Sequence, residues 1–117
     1  MFIMSCLFCR IVAGEIPAAK VYEDDELLAF KDIHPKAPLH LLIIPKEHIE
    51  SMAVLKDRHA PLMGRMMVLA QRLATENGSP EGFRTVVNTG RVGRQEVYHL
   101  HMHLLGGPEP LGSSASF

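Results

Sequence analysis

Three histidines alternate within one short run, Val97-Tyr98-His99-Leu100-His101-Met102-His103-Leu104-Leu105. A β-strand turns successive side chains to opposite faces, so an extended run puts His99, His101 and His103 together. Tyr98, Leu100, Met102 and Leu104 then share the other face, and alternate side chains stand roughly 6.5–7 Å apart. Packing alone gives no reason to crowd three titratable rings on one face. Two kinds of chemistry do. The imidazoles can ligate a metal, with water in the fourth position of a zinc hydrolase. Alternatively one imidazole, unprotonated near neutral pH, attacks phosphorus as a nucleophile. A second set of soft ligands lies near the start, Cys6-Leu7-Phe8-Cys9. In a reducing compartment such a pair is a metal half-site or a redox pair more often than a structural bridge.

The elements that must position these residues are short. Leu7 to Ala13 reads as a helix stopped by Gly14. Lys20 to Glu23 and Leu27 to Lys31 read as a hairpin, with the charged Glu23-Asp24-Asp25-Glu26 as its turn. Pro35 and Pro38 break the next stretch. Leu39 to Ile44 is an apolar run ended by Pro45, a buried strand that carries His40. The longest helix falls between Asp57 and Asn77, where Met63, Met66, Met67, Ala70, Leu73 and Ala74 recur at helical spacing. Asn77-Gly78 is its stop. The methionine face suits core packing or a subunit interface. Arg84 to Asn88 and Val97 to Leu105 complete the strands, and Gly106 to Phe117 reads as an irregular tail. Few crossover helices are available, so the spacing predicts an antiparallel sheet with helices on one face, class α+β.

Composition narrows the function. In 117 residues, 47% hydrophobic and 21% charged, there is material for a single domain over 1–117 and no sign of a disordered, collagen-like or coiled-coil chain. Twelve basic against 13 acidic residues give a net charge of −1, which argues against a nucleic-acid partner. Two cysteines do not make a disulfide framework. Met1 to Ser5 is apolar but lacks a basic flank, and Arg10 follows early. Neither a signal peptide nor a membrane span is expected, and the cytoplasm is the expected compartment.

The histidine run resembles the signature of the histidine triad (HIT) superfamily, His-x-His-x-His followed by two apolar residues. Phe8 to Pro17, Ala29 to Ile33, His40 to Ile49, Val87 to Gly90, Gly93 to Tyr98 and Leu105-Gly106-Gly107 resemble other segments of that family. The likeness covers nearly the whole chain and points to the Hint branch of nucleotide-binding proteins, in its bacterial style. The resemblance implies a five-stranded antiparallel sheet with one long and one short helix. It also implies a homodimer that joins two sheets into one larger sheet.

The activity it implies is that of a purine nucleotide phosphoramidase, which cleaves P–N bonds in nucleoside 5′-monophosphate amides. His101 would attack the α-phosphate and form a nucleotidyl-histidine that water resolves. His103 would hold a phosphate oxygen and help protonate the leaving amine. Transferase relatives place Gln at that third position, so His103 argues for hydrolysis. His99 would support the nucleophile through its backbone carbonyl, and His40 would stand beside the site. Asp32 would accept the ribose hydroxyls, with Ile33, Phe8 and Leu42 as apolar walls around the base and Asn88 near ribose and phosphate. Backbone N–H groups of Gln95, Glu96 and Val97 would cradle phosphate. Two positions depart from the pattern. Arg94 replaces a glycine, and Glu96 replaces a serine that contacts phosphate, where a carboxylate repels unless it faces away.

The resemblance also completes the cysteine pair, with Cys6, Cys9, His48 and His99 as a closed structural zinc site that holds His99 beside His101. His34 and His59 match no role and are expected at the surface, as are Arg84 and Arg91. Two other classes stay open: a zinc hydrolase with the triad as ligands, and a nucleotide-binding module with little turnover.

Overall fold

Capping residues and turns set the elements. The computed structural model describes residues 6–112; Met1 to Ser5, read above for a targeting signal, and the last five residues of the tail lie outside the described residues. Helix α1, Leu7–Val12, is capped by the Cys6 thiol, which accepts the Cys9 N–H at 3.3 Å, and ends before Gly14 at φ 79°. Strands β1, Lys20–Glu23, and β2, Leu27–Lys31, form the expected hairpin. Its turn is held by Asp24, whose Oδ1 accepts the N–H groups of Glu26 and Leu27 at 2.8 Å each. Strand β3, Leu39–Pro45, is buried throughout. Helix α2, Ala60–Glu76, begins with Pro61, which needs no N–H partner there. Strands β4, Arg84–Val86, and β5, Met102–Gly106, follow. The sheet order is β1-β2-β3-β5-β4, antiparallel throughout, so β5 lies between β3 and β4.

The helices do not share a face, contrary to the sequence expectation. Leu62, Met66, Leu69, Ala70, Leu73 and Ala74 of α2 pack with Leu27, Ala29, Leu41, Ile43, Leu100, Met102 and Leu104. The alternate residues Leu28, Phe30, Leu42 and Ile44 pack with Phe8, Cys9 and Ile11 of α1. The cause is visible in β2 and β3, which are apolar at nearly every position and so must be covered twice. On α2 Met66 is buried and Met63 partly so, whereas Met67 and Val68 point outward. No helix among the described residues is long and apolar enough to cross a membrane.

The histidine run is only half a strand. The ladder begins at Met102, leaving His99 to His101 outside it. The Leu100 N–H donates to the Ile49 carbonyl at 2.6 Å, which ties this segment to the loop after β3 instead. Alternation survives for Leu100, Met102 and Leu104 on the α2 side; Tyr98 is half exposed. Strand β4 ends at Val86, short of Asn88. Gly106 belongs to β5 rather than the tail, and any side chain there would collide with Ser79 Oγ. His34 and Arg91 are exposed as expected, while Arg84 is half-buried on β4. His59 is buried, against expectation. Its Nδ1 accepts the Lys56 N–H at 2.9 Å, which closes the turn leading into α2.

Candidate active site and metal centre

His101 is buried, and its Nδ1 lies 2.9 Å from the His99 carbonyl oxygen. A carbonyl only accepts, so Nδ1 carries the proton and Nε2 keeps a free lone pair. The Phe8 ring stands edge-on at 5.2 Å and fixes the imidazole from the other side. Burial pushes the His101 pKa below its ordinary value, against the opposing pull of the His99 carbonyl and of the Asp32 and Glu96 charges. The ring is therefore neutral at pH 7, in its nucleophilic form.

A second chain of hydrogen bonds sets His103. The Lys36 backbone N–H donates to His40 Nδ1 at 3.0 Å, so the His40 proton sits on Nε2. That Nε2–H faces His103 Nδ1 at 2.9 Å and Asp32 Oδ2 at 3.4 Å. His103 accepts on Nδ1 and thus carries its own proton on Nε2. Burial holds His40 low and drives His103 down to about 4. Asp32, His40 and His103 also stand close enough together to share a metal ion. The backbone donor argues otherwise, because it leaves the His40 Nε2 lone pair protonated. This group is a hydrogen-bond relay that ends in a donor.

A cavity of about 240 Å³ joins these parts. Phe8, Asp32, Leu42, Asn88, Glu96 and Val97, all singled out in the sequence, line it together with His101 and His103. Two of the expected nucleotide contacts do not join them. Ile33 is 85% exposed and outside the wall. Gln95 is committed to its loop: Oε1 accepts the Gly90 N–H at 2.9 Å, and Nε2 donates to the Glu50 and Val97 carbonyls at 2.8 and 3.0 Å. Its backbone N–H is bound to the Gly90 carbonyl at 3.0 Å. Gln95 therefore shapes the loop and offers no phosphate contact.

Three lining residues, His34, Lys36 and Arg94, have no role assigned from the sequence, and His34 was expected only at the surface. Lys36 follows Pro35 and gave no pattern to find. Arg94 was visible as a departure from glycine, and the structure supplies the reason for the glycine: its φ is 62°. It is the one non-glycine residue at positive φ among those described, a conformation that costs about 1–2 kcal/mol for a side chain with Cβ.

Behind the cavity, Cys6 Sγ, Cys9 Sγ, His48 Nδ1 and His99 Nδ1 converge within 4.8 Å of one another. His99 Nε2 donates to the Pro45 carbonyl at 2.8 Å, which frees Nδ1 to ligate. Nδ1 lies 3.4 Å from Cys6 Sγ and 3.6 Å from Cys9 Sγ, and His48 Nδ1 lies 3.3 Å from Cys9 Sγ. Donors around a tetrahedral ion at the usual S and N bond lengths stand roughly 3.3–3.8 Å apart. Those three separations match that spacing, and two thiols with two imidazoles are the donor set such an ion takes.

Residues 5–115 match the family described as "Scavenger mRNA decapping enzyme C-term binding". The chain is 53% identical over 104 residues to Protein HitA of Neisseria gonorrhoeae, covering 89% of this chain and 97% of that one. It is 45% identical to a 14 kDa zinc-binding protein of Brassica juncea, covering 86% and 91%. It is 44% identical to Adenylylsulfatase HINT1 of Arabidopsis thaliana, covering 86% and 70%. Among solved structures it resembles a HIT family hydrolase from Legionella pneumophila Philadelphia 1, with TM-score 0.87, 50% identity and coverage of 90% and 95%. It also resembles a Zn-bound histidine triad family protein from Mycobacterium smegmatis, with TM-score 0.79, 32% identity and coverage of 97% and 81%.

Two outcomes follow from this geometry. His103 has a folded pKa near 4 against an ordinary 6.5, so the unfolded chain binds protons first. Stability is full above pH 6.5 and falls as pH drops towards 4. Urea unfolding at pH 7.5, 6 and 5 measures this slope, and His103→Gln reduces it by the His103 share, leaving that of the other buried histidines. Arg94→Gly relieves the left-handed strain but frees the unfolded chain, so its melting temperature stays level or rises by up to about 4 °C. A calorimetric drop of several degrees would contradict the strain argument.

Proposed function

The chain belongs to the histidine triad family, and on that premise we propose that it is a purine nucleotide phosphoramidase, a hydrolase acting at the α-phosphate of nucleoside 5′-monophosphate amides. One observation carries the reading: His101 is neutral, buried, and held by the His99 carbonyl with Nε2 free to attack. In this reaction Nε2 forms a bond to phosphorus as the P–N bond to the amine breaks. The departing amine needs a proton, and the His103 Nε2–H is the donor that the His40 relay leaves available. Water then attacks the nucleotidyl-histidine and gives its proton back to His103 Nε2, releasing the monophosphate and restoring both His101 and His103. A relative named as an adenylylsulfatase supports hydrolysis at an adenylyl group.

The nucleoside takes the rest of the cavity. Asp32 uses Oδ1 to accept the His34 N–H at 2.8 Å and retains lone pairs for ribose hydroxyls. Phe8 and Leu42 form apolar walls for the base, and Asn88 stands where ribose and phosphate meet. Zinc is assigned to Cys6, Cys9, His48 and His99, in keeping with a zinc-binding relative and a Zn-bound structural neighbour. When bound it supplies a closed structural joint between α1, the segment after β3 and the triad, with no open position for substrate. A reducing cytoplasm keeps both thiols available to it. The outward Met67 and Val68 face suits a second copy of the chain.

The zinc-hydrolase alternative fares poorly. His99 turns to the cysteines, His101 spends Nδ1 on the chain, and His103 spends Nδ1 on His40. Three converging ligands are not left.

Hydrolysis of an adenosine 5′-phosphoramidate of a fluorescent amine tests the activity. His101→Ala is expected to lose at least about 10³-fold in kcat while still binding AMP. Equal rates in mutant and wild type, or tight AMP binding without any turnover in wild type, would move the protein to the binding-module class. Elemental analysis is expected to find one zinc per chain. Cys9→Ala or a strong chelator removes it and lowers the melting temperature.

A further inference from the structure

One charge in the cavity works against phosphate. Glu96 lines the same wall as His101 and His103, is exposed, and has no Lys or Arg ion-pair partner among the described residues. Around it stand Asp32, His34 and Lys36 from the β2–β3 connection, Arg94 from its own loop, and the two triad rings. Glu96 shares that wall with His101, the residue that would be bonded to phosphorus, so its charge is part of the cavity. The fixed charges in the wall are Lys36 and Arg94 against Asp32 and Glu96, two of each sign, so they cancel. Without Glu96 the wall would carry one net positive charge, which suits a dianion better.

The substrate and product of the proposed reaction differ in just this respect. A phosphoramidate joined to ribose carries one negative charge at phosphorus. The monophosphate carries nearly two at neutral pH, because its second ionisation lies near pH 6. A fixed carboxylate repels each of those charges, so it penalises product about twice as strongly as substrate. We propose that Glu96 is a specificity-determining residue that disfavours the dianionic monophosphate relative to the monoanionic substrate and so speeds product release. The inference rests on the hydrolase reading above. It gives Glu96 a use that a phosphate-contacting serine would not serve.

The test is calorimetric binding of two probes to the full chain at pH 7.5. One is AMP, and the other is its monomethyl phosphate ester, which keeps a single charge and lacks a scissile P–N bond. At several ångströms in partly aqueous surroundings one unit charge is worth on the order of four-fold in affinity. Glu96→Gln is expected to raise affinity for AMP about four-fold more than for the ester. Glu96→Asp, which keeps the charge, is expected to hold the wild-type ratio within about two-fold. Equal gains on both probes, loss on both, or no change would each overturn the proposal. Turnover of the phosphoramidate tests the hydrolase reading separately, and the binding ratio reports on Glu96 whether or not turnover is seen. Failure of wild type to bind either probe would remove the nucleotide reading and this inference together.

Discussion

The carbonyl of His99 governs this site. It accepts one proton, the Nδ1–H of His101, and that single bond decides which nitrogen of the nucleophile is exposed. A backbone oxygen cannot be mutated away and cannot change its protonation state, so the arrangement is insensitive to pH in a way that a carboxylate partner would not be. The ring of the same residue turns the opposite way, towards Cys6, Cys9 and His48. His99 thus joins the metal centre and the nucleophile through two groups on one residue. Anything that holds its ring also holds its carbonyl. The joint is structural in origin and chemical in effect.

The sheet explains why those groups are buried without being lost to solvent. Two layers of apolar side chains alternate along β2 and β3, one covered by α2 and the other by α1. The triad emerges where the α1 layer meets the loops, with Phe8 touching the rings of both His99 and His101. Desolvation from that layer lowers the imidazole pKa values and keeps them neutral. The same packing that stabilises the fold therefore prepares the nucleophile.

Much of this was legible in the sequence because it is periodic or local. The long helix, the hairpin, the buried third strand and the histidine alternation all follow from spacing of two or 3.6 residues. The cysteine pair needed family resemblance to find its partners, since His48 and His99 lie far along the chain. What escaped notice depends on individual hydrogen bonds, some between distant segments and some within a single turn, that residue spacing does not mark. The strand stops at Met102 because Leu100 bonds to Ile49. His59 is buried by a turn closed on Lys56. Gln95 binds its own loop and Glu50 rather than a ligand. The tautomer of His40, and through it that of His103, is set by a backbone N–H at Lys36, a donor that every residue but proline possesses. No residue type marks it. Arg94 was flagged by its departure from glycine, but only the dihedral angle explained why glycine suits that turn.

The strand order β1-β2-β3-β5-β4 carries a consequence for how the chain comes into being. Strand β5 lies inside the sheet, between β3 and β4, but leaves the ribosome after the other four. Until it arrives, β3 presents an open edge that is apolar at every position but His40, and β4 has nothing to pair with. Such an edge invites pairing with other chains. Completion of the sheet therefore waits for the segment that also brings His103, with His99 and His101 immediately before it. A nascent chain lacks both the strand that joins β3 to β4 and its reactive rings, and acquires them in the same event. Folding and competence are synchronised by topology alone.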